Sequence, residues 1–239
     1  MKKYCLYIFT IVCALALSGC SLFGADYSGI AGYSQVETAR DLYTALDSGR
    51  LTIVDNSSGE ITQDFVFKYE GDVLTYSYVV VDENEIYCEY HNGSEINYTT
   101  DKDEAWTALD ATSEQYFVKS KTDRHPLTDR TAISINADSI VSGTVSEQAD
   151  GGFVITYDYD IEKLASYATA LETVGTLTGF ATALEIDGEG YCTALTQTAT
   201  FIDADGNELA VDYTMTITQM NSVESVTRPA APWENNSEE

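Results

Sequence analysis

From Glu208 to Gln219 apolar and polar residues alternate one for one, and few chain conformations can use such a pattern. Leu209, Val211, Tyr213, Met215 and Ile217 fall on one phase, and Ala210, Asp212, Thr214, Thr216 and Thr218 on the other. Successive strand side chains point to opposite faces, so this segment predicts a strand with one buried and one wet face, the mark of antiparallel pairing. The same period runs through Phe65, Phe67 and Tyr69, then through Leu74, Tyr76 and Tyr78 after a Glu70-Gly71-Asp72 turn. A further turn at Asp82-Glu83-Asn84-Glu85 leads to Ile86, Cys88 and Tyr90. His91-Asn92-Gly93-Ser94 then reads as a type I′ hairpin before Ile96 and Tyr98. A second meander is predicted to resume at Val154, with Phe153, Ile155 and Tyr157 on one face. It continues through strands at 180–186, 190–202 and 208–219, joined by Asp187-Gly188-Glu189 and Asp203–Asn207.

Two segments carry a helical period instead. Over 33–50, Val36, Ala39, Leu42, Tyr43 and Leu46 share a face, Ser34 and Glu37 have capping-box spacing, and Gly49 reads as a stop. After Asp160 as cap, Ile161, Leu164, Ala165, Ala168 and Leu171 share another face, ended by Gly175 or Gly179. Residues 101–143 are ambiguous. Trp106 and Leu109 suit a short helical turn and Tyr116-Phe117-Val118 a strand. Asp123–Leu127 breaks regular structure, and Ile133, Ile135 and Ile140 suit either a strand or an amphipathic turn.

The N-terminus carries an address. Lys2 and Lys3 precede an uncharged run from Tyr4 to Leu17, shorter than the roughly 20 residues of a membrane span. The run ends in Leu17-Ser18-Gly19-Cys20, which resembles a bacterial lipobox; a plain signal peptide is the other reading. By that resemblance 1–19 is a cleaved signal peptide, and Cys20 carries a thioether-linked diacylglycerol with palmitate-type chains. Two chains anchor stably where one would be marginal, at about 0.8 kcal/mol per buried methylene. The expected location is the extracytoplasmic face of the cell membrane, lipid-anchored. Residues 20–32 read as a tether, and 230–239 as a disordered acidic tail.

Composition narrows the remaining classes. With Lys2 and Lys3 gone, 10 basic residues face 39 acidic ones. No basic stripe exists to neutralise phosphates, so nucleic acid is excluded as a partner. The acidity also holds the body of the protein off an anionic surface. Seventeen tyrosines and only three prolines favour an ordered, strand-rich protein over a disordered acidic one. Of five cysteines, Cys5 and Cys13 leave with the leader and Cys20 is the anchor. Cys88 and Cys192 remain. Bonded, they would close a loop of about 105 residues, worth about 4–5 kcal/mol; otherwise they are two buried thiols.

The order of lipobox, tether, amphipathic helix, meander, helices and second meander ends in Asn221, Val223, Val226 and Pro229. This layout resembles the LolA/LppX-like lipoproteins. Tyr90-His91-Asn92-Gly93 with Ile96, Tyr98 and Trp106 resembles a segment of that group's uncharacterised Gram-positive branch. The resemblance covers 33–229 and implies one α+β domain: a strongly curved antiparallel sheet, an open half-barrel, with helices packed across its concave face. It also implies a lipid or amphiphile between sheet and helices, lined here by Phe65, Phe67, Leu74, Tyr76, Tyr78, Tyr213 and Met215. The same residues serve equally as an ordinary closed core. Tyrosine where the group has aliphatic residues, and only Met215 and Met220 in the mature chain, favour an amphiphile over a wholly apolar ligand.

No catalytic signature appears: no nucleophile elbow, zinc-binding helix or phosphate loop. His91 and His125 fall in turn signals, and no third histidine completes a metal site. The Asp203–Glu208 run misplaces the glycine of a calcium loop and reads as a hairpin turn. The expectation is a non-enzymatic lipoprotein without cofactor or metal, tethered to a membrane and binding an apolar or amphiphilic molecule. The alternative is a cell-envelope protein–protein interaction module with a closed core.

Overall fold

The computed structural model describes residues 27–82, 85–100, 106–108, 125–167 and 175–229. Eleven strands are joined in one sheet, in the order β6-β5-β4-β3-β2-β1-β11-β10-β9-β8-β7. They are β1 (Ser48–Asp55), β2 (Glu60–Glu70), β3 (Val73–Asp82), β4 (Glu85–His91), β5 (Ile96–Thr99), β6 (Thr107–Ala108), β7 (Ile140–Glu147), β8 (Phe153–Tyr159), β9 (Thr176–Ile186), β10 (Cys192–Ile202) and β11 (Glu208–Thr218). The helices are α1 (Tyr33–Thr44) and α2 (Ile161–Tyr167). Contacts divide the chain into two compact units. One holds the residues up to Ala45 with Arg130–Met215, the other Leu46–Asp129 with the residues from Thr216 onward. Among the described residues no helix is long and apolar enough to cross a membrane.

In the first unit α1 buries Val36, Ala39 and Tyr43 and packs on β9 and β10. It is shorter than the predicted 33–50, and its capping differs. Gly32, at φ 72°, is the N-cap and no side chain caps the helix. Glu37 turns instead to two guanidinium groups, Arg40 at 2.8 Å and Arg130 at 2.6 Å. Arg40 is pinned further by its Nε donating to the Ile133 carbonyl at 2.8 Å. Ile133 and Ile135 are buried in the segment between the turns 130–132 and 137–139 rather than in a strand.

β7 is a strand the alternation did not predict. It lies last in the sheet order and presents Val141 64% exposed, so burial never imposed an alternating pattern on it. Gly143 is what brings it close to β8, since a Cβ there would sit 2.8 Å from the Tyr157 ring. α2 begins as expected, with the Asp160 carboxylate accepting the Lys163 amide at 3.0 Å. Ala168 and Leu171 lie outside the described residues, and Gly179 belongs to β9 rather than to a helix end.

The second unit is a meander of β1 to β6. β1 pairs with β2, β2 with β3, β3 with β4 and β4 with β5, all antiparallel. The expected helix cannot run on through Asp47 and Ser48 because their backbone is claimed here. Tyr69 N–H donates to Asp47 O at 2.6 Å, Asp47 N–H to Asn221 Oδ1 at 2.8 Å, and Asn221 N–H to Ser48 O at 2.8 Å. Gly49 is therefore a strand residue, not a helix stop. The β4–β5 connection is where the sequence put it, but it is not a type I′ turn. Only Gly93 has positive φ, while the Asn92 side-chain oxygen accepts the Ser94 and Glu95 amides, each at 3.0 Å. Trp106 leads into the short strand β6 rather than a helical turn, and Arg228 lies 4.1 Å over its ring. Leu109 and Tyr116–Val118 lie outside the described residues.

Candidate functional site: a buried tyrosine, histidine and glutamate cluster

The inward phase of β2 and β3 carries five of the predicted lining residues, Phe65, Phe67, Leu74, Tyr76 and Tyr78, none more than 6% exposed. Register explains their meeting: Phe65 lies opposite Tyr78 and Phe67 opposite Tyr76. Phe65 touches the rings of Phe67, Tyr76 and Tyr78 at centroid distances of 5.8, 5.5 and 5.8 Å. Tyr213 and Met215, also buried, belong to β11 in the other unit.

The same face continues onto β4, which is buried on both of its phases. Ile86 and Cys88, on the phase that the sequence marks, are buried, and on the other phase Glu89 and His91 are 3% and 2% exposed. Glu89 lies opposite Tyr78 on β3 and Tyr98 on β5, and His91 opposite Tyr76 and Ile96. The Glu89 carboxylate accepts hydrogen bonds from the Tyr76 and Tyr87 hydroxyls, while Tyr78 donates to Gln63 Oε1 at 3.0 Å. Tyrosines fill this interior because each hydroxyl has an acceptor; without one, a buried phenol costs about 1–3 kcal/mol.

His125 reaches the same face from a turn. Pro126 suits the first position of a 3-10 turn, and His125 caps it, its Nδ1 accepting the Leu127 amide at 3.1 Å. The ring stacks on Phe65 at 4.9 Å and 18°, and meets Tyr76 at 5.0 Å. Both histidines, expected in solvated turns, are therefore core residues. Burial drives the His125 imidazole down to about 3, with repulsion from His91 adding to it. His91 is also lowered by burial, opposed by its hydrogen bond to the Leu74 backbone. Tyr87 is raised well above its ordinary value by burial and then by the Glu89 charge.

The first unit has its own buried polar row, Tyr157, Thr182 and Gln197, which face one another across β8, β9 and β10. Thr182 bonds the Tyr159 hydroxyl at 2.9 Å, and Gln197 donates to the Ser134 carbonyl at 3.4 Å. Cys88 and Cys192 are both buried free thiols, so the bridge that the sequence left open is not formed. Each is enclosed within its own unit, and burial raises them to about 11 and about 12. Cys20 lies outside the described residues. No group of three acidic, histidine or cysteine residues able to hold a metal occurs among the described residues.

Glu89 and His91 carried a usable signal: with Tyr87 they hold one alternation phase, in register with tyrosines on both neighbouring strands. His125 carried none, because its place depends on a fold across some 60 residues.

These features define an antiparallel-sheet protein with a tyrosine-lined, carboxylate-bearing interior. No protein-family profile matches the chain. No curated protein matches it. Among solved structures, LprF from Mycobacterium bovis is similar to it at 10% identity and a TM-score of 0.46, over 82% of this chain and 96% of that one.

Proposed function

We propose that this chain is a non-enzymatic lipoprotein, anchored through a lipid on Cys20 at the extracytoplasmic face of the cell membrane, which binds an amphiphilic molecule against its sheet. In this reading the sheet bends into an open half-barrel with the helices across its hollow side. The observation that carries the ligand class is the interior of β2 to β4: aromatic walls interrupted by a buried carboxylate and an imidazole. An alkane binder has no use for such groups, whereas an amphiphile has both a chain and a head. The anchor rests on Leu17-Ser18-Gly19-Cys20. Solvent extraction and native mass spectrometry of the purified protein should recover a bound amphiphile, and Cys20→Ala should release the protein from membranes. A protein that stays empty, and refuses fluorescent fatty acids and amines alike, refutes the ligand. A Cys20→Ala protein that remains membrane-bound refutes the anchor.

One observation favours a second reading, a cell-envelope interaction module. Phe65, Phe67, Leu74 and Tyr76 are covered by the protein's own side chains, at most 1% exposed. That reading expects no ligand, and partners whose binding weakens as salt rises.

A further inference from the structure

We propose that Glu89 and His91 form the recognition point for a primary ammonium group, so that the amphiphile of the preceding section is cationic at its head. The inference rests on that reading and assigns its chemistry.

Among the described residues two buried acceptors here are incompletely matched: the Glu89 carboxylate has donors but no cation beside it, and His91 Nδ1 has no donor. Glu89 is 3% exposed, and its hydrogen bonds come from two neutral phenols. Among the described residues no lysine or arginine pairs with it; the ion pairs are those of Glu37, Asp41, Asp64 and Glu70. A buried carboxylate normally has a cation beside it. His91 is 2% exposed. One ring nitrogen bonds the Leu74 backbone, and Nδ1 has no partner. A neutral imidazole donating through one nitrogen presents the other as a lone pair. Nδ1 is thus an acceptor waiting for a donor.

The two acceptors adjoin one another. Two residues apart on β4, they lie on one face, about 7 Å apart along the strand. The Tyr76 ring spans them: it meets the His91 ring at 5.6 Å and sends its hydroxyl to Glu89. Tyr78 and Tyr98 flank Glu89 on the two neighbouring strands. Tyr87 stacks on Tyr98 at 6.2 Å and 26°, and both are only half-buried, so this side leads toward solvent.

Ligand chemistry follows by elimination. An anion, ether or carbonyl would offer a third acceptor to two existing ones. A hydroxyl could satisfy Nδ1 but would leave the carboxylate uncompensated. A primary ammonium supplies three N–H donors and the missing positive charge, and tyrosine faces attract it. A quaternary ammonium has the charge but no donor, so the site should reject it. The net charge of −27 raises the local concentration of any cation.

The test uses the full chain in maltoside detergent, with calorimetric titration of n-butylammonium, n-butanol and tetramethylammonium, and of phosphatidylethanolamine added to the micelles. Butylammonium should bind at least tenfold more tightly than the other two small molecules. Glu89→Gln and His91→Phe should each weaken it about tenfold or more with an unchanged circular dichroism spectrum. Binding of phosphatidylethanolamine but not butylammonium assigns the ammonium to a lipid head, and binding of both assigns it to amines generally. Measurable binding of butanol as tight as that of butylammonium overturns the proposal, as do failure of both butylammonium and phosphatidylethanolamine to bind and full binding by a folded Glu89→Gln protein. Should the variants fail to fold, discrimination among the ligands by the unaltered protein decides alone. Recovery of a fatty acid with no preference for ammonium overturns this inference and leaves the amphiphile reading standing.

Discussion

Acidification should destabilise the second unit through His125, and the size of the effect can be worked from its burial. The imidazole stacks on Phe65 beside Tyr76 and next to His91, and its Nδ1 is occupied by the Leu127 amide. In the folded state it takes a proton only near pH 3; in the unfolded chain it does so near 6.5. The folded form therefore binds fewer protons between these values, so stability is complete above pH 6.5 and falls as pH falls toward 3. At 1.36 kcal/mol per pH unit the loss reaches roughly 2.7 kcal/mol at pH 4.5 and about 5 kcal/mol near pH 3. That is a large share of the roughly 5–15 kcal/mol holding a typical domain. His125→Asn isolates the effect. The asparagine oxygen can take the place of Nδ1 toward the Leu127 amide but cannot titrate, and the lost stacking is a constant cost at every pH. Protonation of surface carboxylates relieves repulsion equally in both proteins. Urea unfolding followed by tryptophan fluorescence at pH 7.0 and 4.5 should show the wild type losing about 2–3 kcal/mol more than His125→Asn. Equal losses would refute the reasoning.

Three further outcomes follow from packing. Arg40, 13% exposed, holds a backbone carbonyl as well as Glu37, so Arg40→Ala should cost about 1–3 kcal/mol. Arg130→Ala, at an ion pair 43% exposed on its side, should cost about 1 kcal/mol or less; thermal melts of the two variants check the order. Gly143→Ala places a methyl 2.8 Å from the Tyr157 ring and should lower stability by about 1–3 kcal/mol, measured by denaturant midpoint. Thiol titration of the mature, unreduced protein should find Cys88 and Cys192 unreactive when native, being buried and raised to about 11 and 12. Both should react in denaturant, and the absence of both thiols there would show that they are bonded.

The strands that alternate most strictly were legible because each has one dry face and one wet face. β2 and β11 follow their patterns residue for residue, and β3 departs from its own only at Ser77, which is buried between Tyr76 and Tyr78. β4 was legible as a strand from Ile86 and Cys88, but Glu89 and His91 on its other phase are buried as well, so polarity did not mark which face is wet. β7 was invisible for the opposite reason, having no dry face to mark. Helix α1 kept its apolar stripe, but its length was settled by Asn221, which takes the backbone of Asp47 and Ser48 from the far end of the chain.

The order of residues alone thus determined an antiparallel sheet and two amphipathic helices, since each is a local pattern that burial reads directly. Only the tertiary structure decided that two histidines and a glutamate would share a dry interior with tyrosines. Strand register set the neighbours of Glu89 and His91, and a turn far along the chain delivered His125. Charge and hydrogen-bond demand depend on what surrounds a group in space, and that neighbourhood exists only once the chain has folded.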